Sequence, residues 1–170
     1  APDRIRLVRT IEDVEQVEVD DADKVAYITQ TTLSVADCAD IRDALRARFP
    51  AIVTPRKPDI CYATSNRQMA VISLAPEADF VLVVGDPESA NSRRLRDIAR
   101  NLGKPARLIP DADGIDHSWL RNIATLLLTS GASVPEHLVE AVIDEIRVHR
   151  ECAVEERVLV HEHVHFQAPL

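Results

Sequence analysis

Three stretches of this chain repeat one pattern, and that pattern narrows the fold more than anything else in the sequence. Residues 24–49 (KVAYITQTTLSVADCADIRDALRARF), 79–103 (DFVLVVGDPESANSRRLRDIARNLG) and 124–149 (ATLLLTSGASVPEHLVEAVIDEIRVH) each pass from a short apolar run, through a hydroxyl-rich corner, into a helical period. A nearly continuous aliphatic run suits a strand buried on both faces of a parallel sheet. Strands alternating with helices make βαβ units. Right-handed crossovers bring the carboxyl ends of such strands to one edge of the sheet, where ligands of these folds bind. The expected class is α/β, with three-layer α/β/α modules and mostly parallel sheets.

The helices carry their own signals. Leu95, Ile98, Ala99 and Leu102 fall on one face of a helix, and Leu138, Val142 and Ile146 form another stripe. Ser34 with Asp37 reads as a capping box, Gly103 as the residue after a helix end, and Pro135 as a first helical residue. ARLIP (106–110) reads as a further strand, IDHSWLRNI (115–123) as a short helix, and TIEDVEQV (10–17) as another. Two prolines and two basic residues in TPRKPD (54–59) mark a seam. The domain reading is a partial α/β module over 1–57, a complete one over 58–150 and a strand-like arm over 151–170.

The corners are TQTTLS (29–34), CYATSN (61–66), GDPESANS (85–92) and TSGAS (129–133). Helix N-termini present unpaired N–H groups and a partial positive charge. One such corner is ordinarily a cap. Four, each richer in hydroxyls and amides than a cap needs, point to a shared anion site, most naturally for phosphate. The patterns GxGxxG and GxxxxGKS/T are absent, so the dinucleotide and P-loop readings fail. A net charge of −8 argues against a nucleic-acid backbone binder. No apolar run approaches the ~20 residues of a membrane helix, and the first ten residues hold no leader-like apolar region.

Cysteines number three: Cys38, Cys61 and Cys152. A sparse, odd count fits a reducing cytoplasm. Cys38 reads as helix packing and Cys152 as incidental to the tail. Cys61 stands at a helix start, where thiolate is favoured, and could be a packed thiol, a nucleophile or a metal ligand. A nucleophile would want a histidine base, and none of the six histidines stands at a strand's carboxyl end.

The segments TQTTLSV (29–35), RFPAIV (48–53), DICYATSNRQ (59–68), VVG (83–85), NSRRL (91–95) and TSGASVP (129–135) together resemble the LytB-type 4-hydroxy-3-methylbut-2-enyl diphosphate reductases. The match runs in order over nearly the whole chain, and the tail pattern from Glu162 to Phe166 resembles the family's arm. The resemblance implies similar α/β modules around a 4Fe-4S cluster held by three cysteines, one iron remaining open to the substrate's hydroxyl. It implies reductive dehydroxylation to isopentenyl and dimethylallyl diphosphate in the non-mevalonate isoprenoid pathway, with electrons from ferredoxin or flavodoxin. By motif, Cys61 resembles a cluster ligand and Thr31 the threonine near the substrate's hydroxyl. Gln30 and Thr32 line the pocket, Thr64 lies beside the ligand, and Ser89, Asn91 and Ser133 resemble diphosphate contacts.

Two departures qualify that reading. The family's Ser-Ser-Asn-Ser is here Ser-Ala-Asn-Ser, so Ala90 removes a hydroxyl. The family's first module and the start of its second have no counterpart in residues 1–28, and with them go two cluster cysteines, the diphosphate-binding histidines and the acidic proton donor. The chain is therefore expected to be inactive alone, as a carboxy-terminal portion or a split subunit completed by another chain. The alternative is a non-catalytic diphosphate-binding module. A third reading takes His161, His163 and His165, which share one face of a strand, as zinc ligands with Cys152 or His149; a solvated strand edge is the more ordinary explanation.

Overall fold

The computed structural model of the chain describes residues 4–33, 35–55 and 60–160. At its centre is a three-stranded parallel sheet of β1 (Phe80–Val84), β2 (Ala106–Ile109) and β3 (Leu126–Ser130), in the order β2-β1-β3. The register sets Val83 against Leu108 on one side and Thr129 on the other. The five residues FVLVV of β1 are buried throughout, Val81 to Val84 completely. The alternation of a strand explains why both of its faces must be apolar. Val81 and Val83 pack with Val71, Ala75, Leu95 and Ala99 from α3 (Tyr62–Leu74), the turn after it and α4 (Ala90–Asn101). Phe80, Leu82 and Val84 pack on the other face with Val142 and Ile146 of α5 (Glu136–His149) and with Leu120. This is the α/β class expected from the sequence, with helices on both faces of the sheet.

The punctuation is close to expectation. Gly103 takes φ 77 just past α4, a left-handed conformation open to glycine. Pro135 is the N-cap of α5 and precedes its first helical residue. The 115–123 segment contributes a single 3-10 turn, His117–Leu120. The Ser34 cap lies outside the described residues, as do His161, His163 and His165. The arm is extended and exposed over 151–160, with no helix or strand there.

The first of the three repeats departs from its pattern. Residues 24–30 form no strand; Ala26 makes one isolated parallel bridge with Val53. A strand is stabilised by neighbours that pair its backbone and cover its faces. Among the described residues that bridge is the segment's one strand pairing; Val25 and Tyr27 pack inward, while Ile28 is 89% exposed. Nearby, α1 (Ile11–Gln16) starts at a capping box in which the Thr10 hydroxyl accepts from the Asp13 N–H and the Asp13 carboxylate accepts from the Thr10 N–H. It packs on α2 (Val35–Arg48) through Val14, Leu45, Phe49 and Ile52. Arg48 fastens the two helices by donating to the carbonyls of Val14 and Val17.

Asp79 locks β3 to β1. Its carboxylate accepts from the N–H groups of Ala124 (2.8 Å) and Thr125 (2.9 Å). Those two bonds, the Thr125 one foremost, hold its pKa below the usual 3.8. A depressed folded pKa stabilises the fold above the unfolded value, and that contribution is lost as pH falls through the folded one. Acid titration of Asp79→Asn should therefore show less loss of stability below pH 3.8 than the parent. Equal acid sensitivity would count against the assignment.

Candidate functional site

The sheet's carboxyl edge gathers the hydroxyl corners. α4 follows β1 and must run antiparallel to it, so α4 begins at that edge. α3 leads through a short turn into the start of β1, and its last residues pack with Val81 and Ala106 at the opposite edge. It therefore also begins at the carboxyl edge. β1 and β3 are neighbours, yet the chain leaves β1 for α4 on one face and β3 for α5 on the other. Adjacent loops that part in this way open a crevice, the usual ligand position of such sheets.

Glycines let the loops close on one another. Gly85 continues the ladder past β1 by donating to Ile109, and Gly131 continues past β3 by donating to Val84. A Cβ on either glycine would overlap the Ser92 side chain. Ser92, 1% exposed in the first turn of α4, is thus seated against the ends of two strands. Ser89 is the N-cap of α4, its hydroxyl accepting from the Ser92 N–H at 3.4 Å. Asn91 is 7% exposed, and its Oδ1 is buried without a hydrogen-bond partner among the described residues. Such an unmet group costs about 1–3 kcal/mol, a cost that a bound ligand's donor would remove. Ser133 is exposed on the β3–α5 corner.

Cys61 is the N-cap of α3, exposed, unbridged and making no side-chain cap bond. Its backbone N–H donates to the Thr31 carbonyl at 3.1 Å. Gln68, about two turns further on, donates through Nε2 to the Leu33 carbonyl at 2.9 Å. These bonds bind the 31–33 turn to the start of α3. Gln30 and Thr31 are exposed there and Thr32 is half-buried. Thr64 faces inward from α3 and is 3% exposed.

The first turns of α3 and α4 hold no acidic residue, whereas that of α5 holds Glu136. The partial positive charge of the α3 start is therefore not offset by its own first turn, which favours an anion, while Asp86 and Glu88 lie in the loop just before α4. Gln68 was not foreseen as a site residue. The signal was there: Thr64, Gln68, Val71 and Ala75 share the inner face of α3, and a glutamine in such a stripe needs a partner. Cys38 lies half-buried on α2, and Cys152 is exposed beyond the far end of α5.

A family model described as LytB protein matches residues 1–147. The chain is 52% identical, over 137 residues, to a 4-hydroxy-3-methylbut-2-enyl diphosphate reductase of Sodalis glossinidius (strain morsitans); the match covers 81% of this chain and 43% of that protein. The structure is similar to that of the E-1-hydroxy-2-methyl-but-2-enyl-4-diphosphate reductase from Plasmodium falciparum, with a TM-score of 0.78 and 35% identity over 85% of this chain and 45% of that one. It is also similar to an (E)-4-hydroxy-3-methyl-but-2-enyl diphosphate reductase described as the terminal enzyme of the non-mevalonate pathway, with a TM-score of 0.52 and 29% identity over 73% and 43%. The chain spans less than half the length of these relatives. With that family matched from residue 1 to residue 147, the chain belongs to the LytB protein family.

Proposed function

We propose that this chain is the carboxy-terminal portion of a reductase that removes the allylic hydroxyl of 4-hydroxy-3-methylbut-2-enyl diphosphate. The observation that carries the reading is the 3.1 Å bond from the Cys61 N–H to the Thr31 carbonyl. It joins a cluster-ligand candidate to a substrate-contact candidate thirty residues apart in sequence. The reaction consumes two electrons and two protons. The carbon–oxygen bond breaks, oxygen leaves as water, and the allylic carbon skeleton takes up a proton to give isopentenyl or dimethylallyl diphosphate. Ferredoxin or flavodoxin supplies the electrons, and a reducing cytoplasm suits both the cluster and the unbridged thiols.

Cys61 fits a cluster ligand because its thiol is exposed and has no capping role. Iron–sulfur clusters take three or four thiolates, and the described residues bring no three cysteines together. The other ligands are therefore expected from outside this chain. When bound, the 4Fe-4S cluster would deliver electrons and bind the substrate's hydroxyl. Around it, Thr31 orients that hydroxyl, Gln30, Thr32 and Thr64 line its surroundings, and Ser89, Asn91 and Ser133 hold the diphosphate. The chain combined anaerobically with the amino-terminal part its relatives carry should convert the substrate with a chemical reductant. The chain alone, given iron and sulfide, should not; turnover by the chain alone would contradict the reading of an incomplete cluster site.

Ala90 is exposed at the first position of α4, beside Ser89 and Asn91. A serine there adds one hydrogen-bond donor for a charged ligand, an interaction of ~1.5–3 kcal/mol. Ala90→Ser should therefore tighten pyrophosphate binding by roughly tenfold or more in calorimetry. Unchanged affinity would show that position 90 does not meet the ligand. Ala90 also favours the second reading, a diphosphate-binding module without catalysis. That reading predicts pyrophosphate binding by the chain alone and no turnover in the assembled protein.

A further inference from the structure

We propose a second metal site, for zinc or a similar borderline divalent cation, formed by His117, Glu145 and His149. It lies at the opposite edge of the sheet from Cys61 and is independent of the reductase reading. α5 begins at the carboxyl edge and is fourteen residues long, so its last turn stands on the order of 20 Å away from that edge.

The donor atoms are close to a zinc geometry. His117 Nε2 is 3.1 Å and His149 Nδ1 3.3 Å from the same carboxylate oxygen, Glu145 Oε1. All the candidate ligand atoms lie within 4.8 Å of one another. Zinc bonds to nitrogen and oxygen of ~2.0–2.2 Å in a tetrahedron set the ligand atoms about 3.3–3.5 Å apart. The two edges to Glu145 Oε1 are thus near those of a tetrahedron, and the third, between the two histidine nitrogens, is within 4.8 Å. Two imidazoles and one carboxylate match zinc better than the hard oxygen set that magnesium or calcium requires. They also match the three-ligand sites that leave a fourth position open. A surface groove lined by His117, His149, Arg121, Asn122 and Arg150 gives that position access to solvent.

The site is held before any metal arrives. Glu145 and His149 are four residues apart on α5 and so share a face. His117 comes from the 3-10 turn 117–120, capped by Asp116 Oδ1 accepting from the Ser118 N–H at 2.8 Å. Arg150 fixes that turn to the end of α5, donating to the carbonyls of Leu120 (2.8 Å) and Ile123 (3.1 Å). Its guanidinium is thereby committed to carbonyl oxygens. The imidazole ring centroids are 3.8 Å apart with their planes tilted by 30°, so neither ring can swing far without disturbing the other. His149 Nδ1 also lies 3.1 Å from the Glu145 carbonyl. A proton on that nitrogen must leave to solvent when metal binds.

The test is a cobalt(II) titration of the reduced full chain under anaerobic conditions, read by visible absorption and checked by competition with zinc. We expect one saturable site whose spectrum lacks a thiolate-to-cobalt band, which separates it from Cys61 and Cys152. His117→Ala and His149→Ala should each weaken binding by at least ~10-fold, with His163→Ala matching the parent. Glu145→Gln keeps the side chain's shape and removes its charge, so it should weaken binding even if an alanine variant folds poorly. Zinc should shift the ring 15N signals of His117 and His149 and leave those of the tail histidines unmoved. Binding that survives His117→Ala, His149→Ala and Glu145→Gln overturns the proposal. So does a thiolate band at the first equivalent, or no saturation before the metal precipitates.

Discussion

Replacing Cys61 with serine in the assembled protein should abolish the iron–sulfur absorption and lower reductase turnover by at least ~100-fold, while leaving the fold intact. The lower bound follows because losing residues that merely orient metal ligands already costs ~10–100-fold in metal affinity or activity, and this change removes a ligand itself. The expectation of an intact fold comes from the thiol's surroundings. Cys61 is exposed and its side chain caps nothing, so no buried contact is lost. Its structural work is done by the backbone, through the N–H to Thr31 and the carbonyl that accepts from Ser65 at 2.9 Å. Serine keeps both groups and is itself a favoured N-cap. Thermal unfolding should therefore move by no more than a surface substitution does, about 0.5 kcal/mol. The informative contrast is Gln68→Leu, which leaves the thiol in place and removes the bond to the Leu33 carbonyl. It should loosen the 31–33 turn and reduce turnover without abolishing the cluster. A Cys61→Ser protein that kept its iron and its activity would remove Cys61 from the site.

The parts of this arrangement that could be read from the sequence are those fixed by local pattern. FVLVV declares a strand buried on both faces because no polar residue interrupts it, and the structure buries all five residues. Leu95 and Ala99, or Val142 and Ile146, announce their inward faces by spacing alone. The segment 24–30 carries the same apolar pattern as β1 and still forms a single bridge, because a pattern states what a strand needs, not whether neighbours supply it. The site divides in the same way. The helix-start positions of the candidates Cys61, Ser89 and Asn91 were legible because each stands within two residues of a helix start at a hydroxyl-rich corner. The Gln68 bond reaches back 35 residues, and the His117–Glu145 pair spans 28. Contacts of that range exist only after the chain is folded. The sequence pattern places no histidine at a strand's carboxyl end, whereas in the structure His137 stands there in the first turn of α5. His117 and His149 stand at the other end, where they meet each other.

The most stringent test of the crevice's packing is a pair of glycine substitutions that look equivalent and should not behave alike. Gly85→Ala and Gly131→Ala each drive a methyl group into Ser92, and each should destabilise by about 1–3 kcal/mol in denaturant unfolding. Removing the Ser92 hydroxyl distinguishes them. At Gly131 the overlap is with Oγ, while Ser92 Cβ is 3.7 Å away, an ordinary contact. At Gly85 the Ser92 Cβ is itself at 2.9 Å, closer than real methyl groups approach. Ser92→Ala should thus restore most of the loss in Gly131→Ala and little of it in Gly85→Ala. The coupling energies of the two double-mutant cycles should differ by about 1 kcal/mol or more, within the range seen for residues in contact. Equal rescue at both positions would mean that the strand ends give way by sliding apart, and the crevice would then be a soft one. Unequal rescue would mean that the first turn of α4 is held rigidly between the ends of β1 and β3. On the proposed reading of the crevice as a diphosphate site, that rigidity would let Ser89 and Asn91 present fixed groups to the anion, because a crevice that yields to one methyl group could not hold a diphosphate in a single orientation.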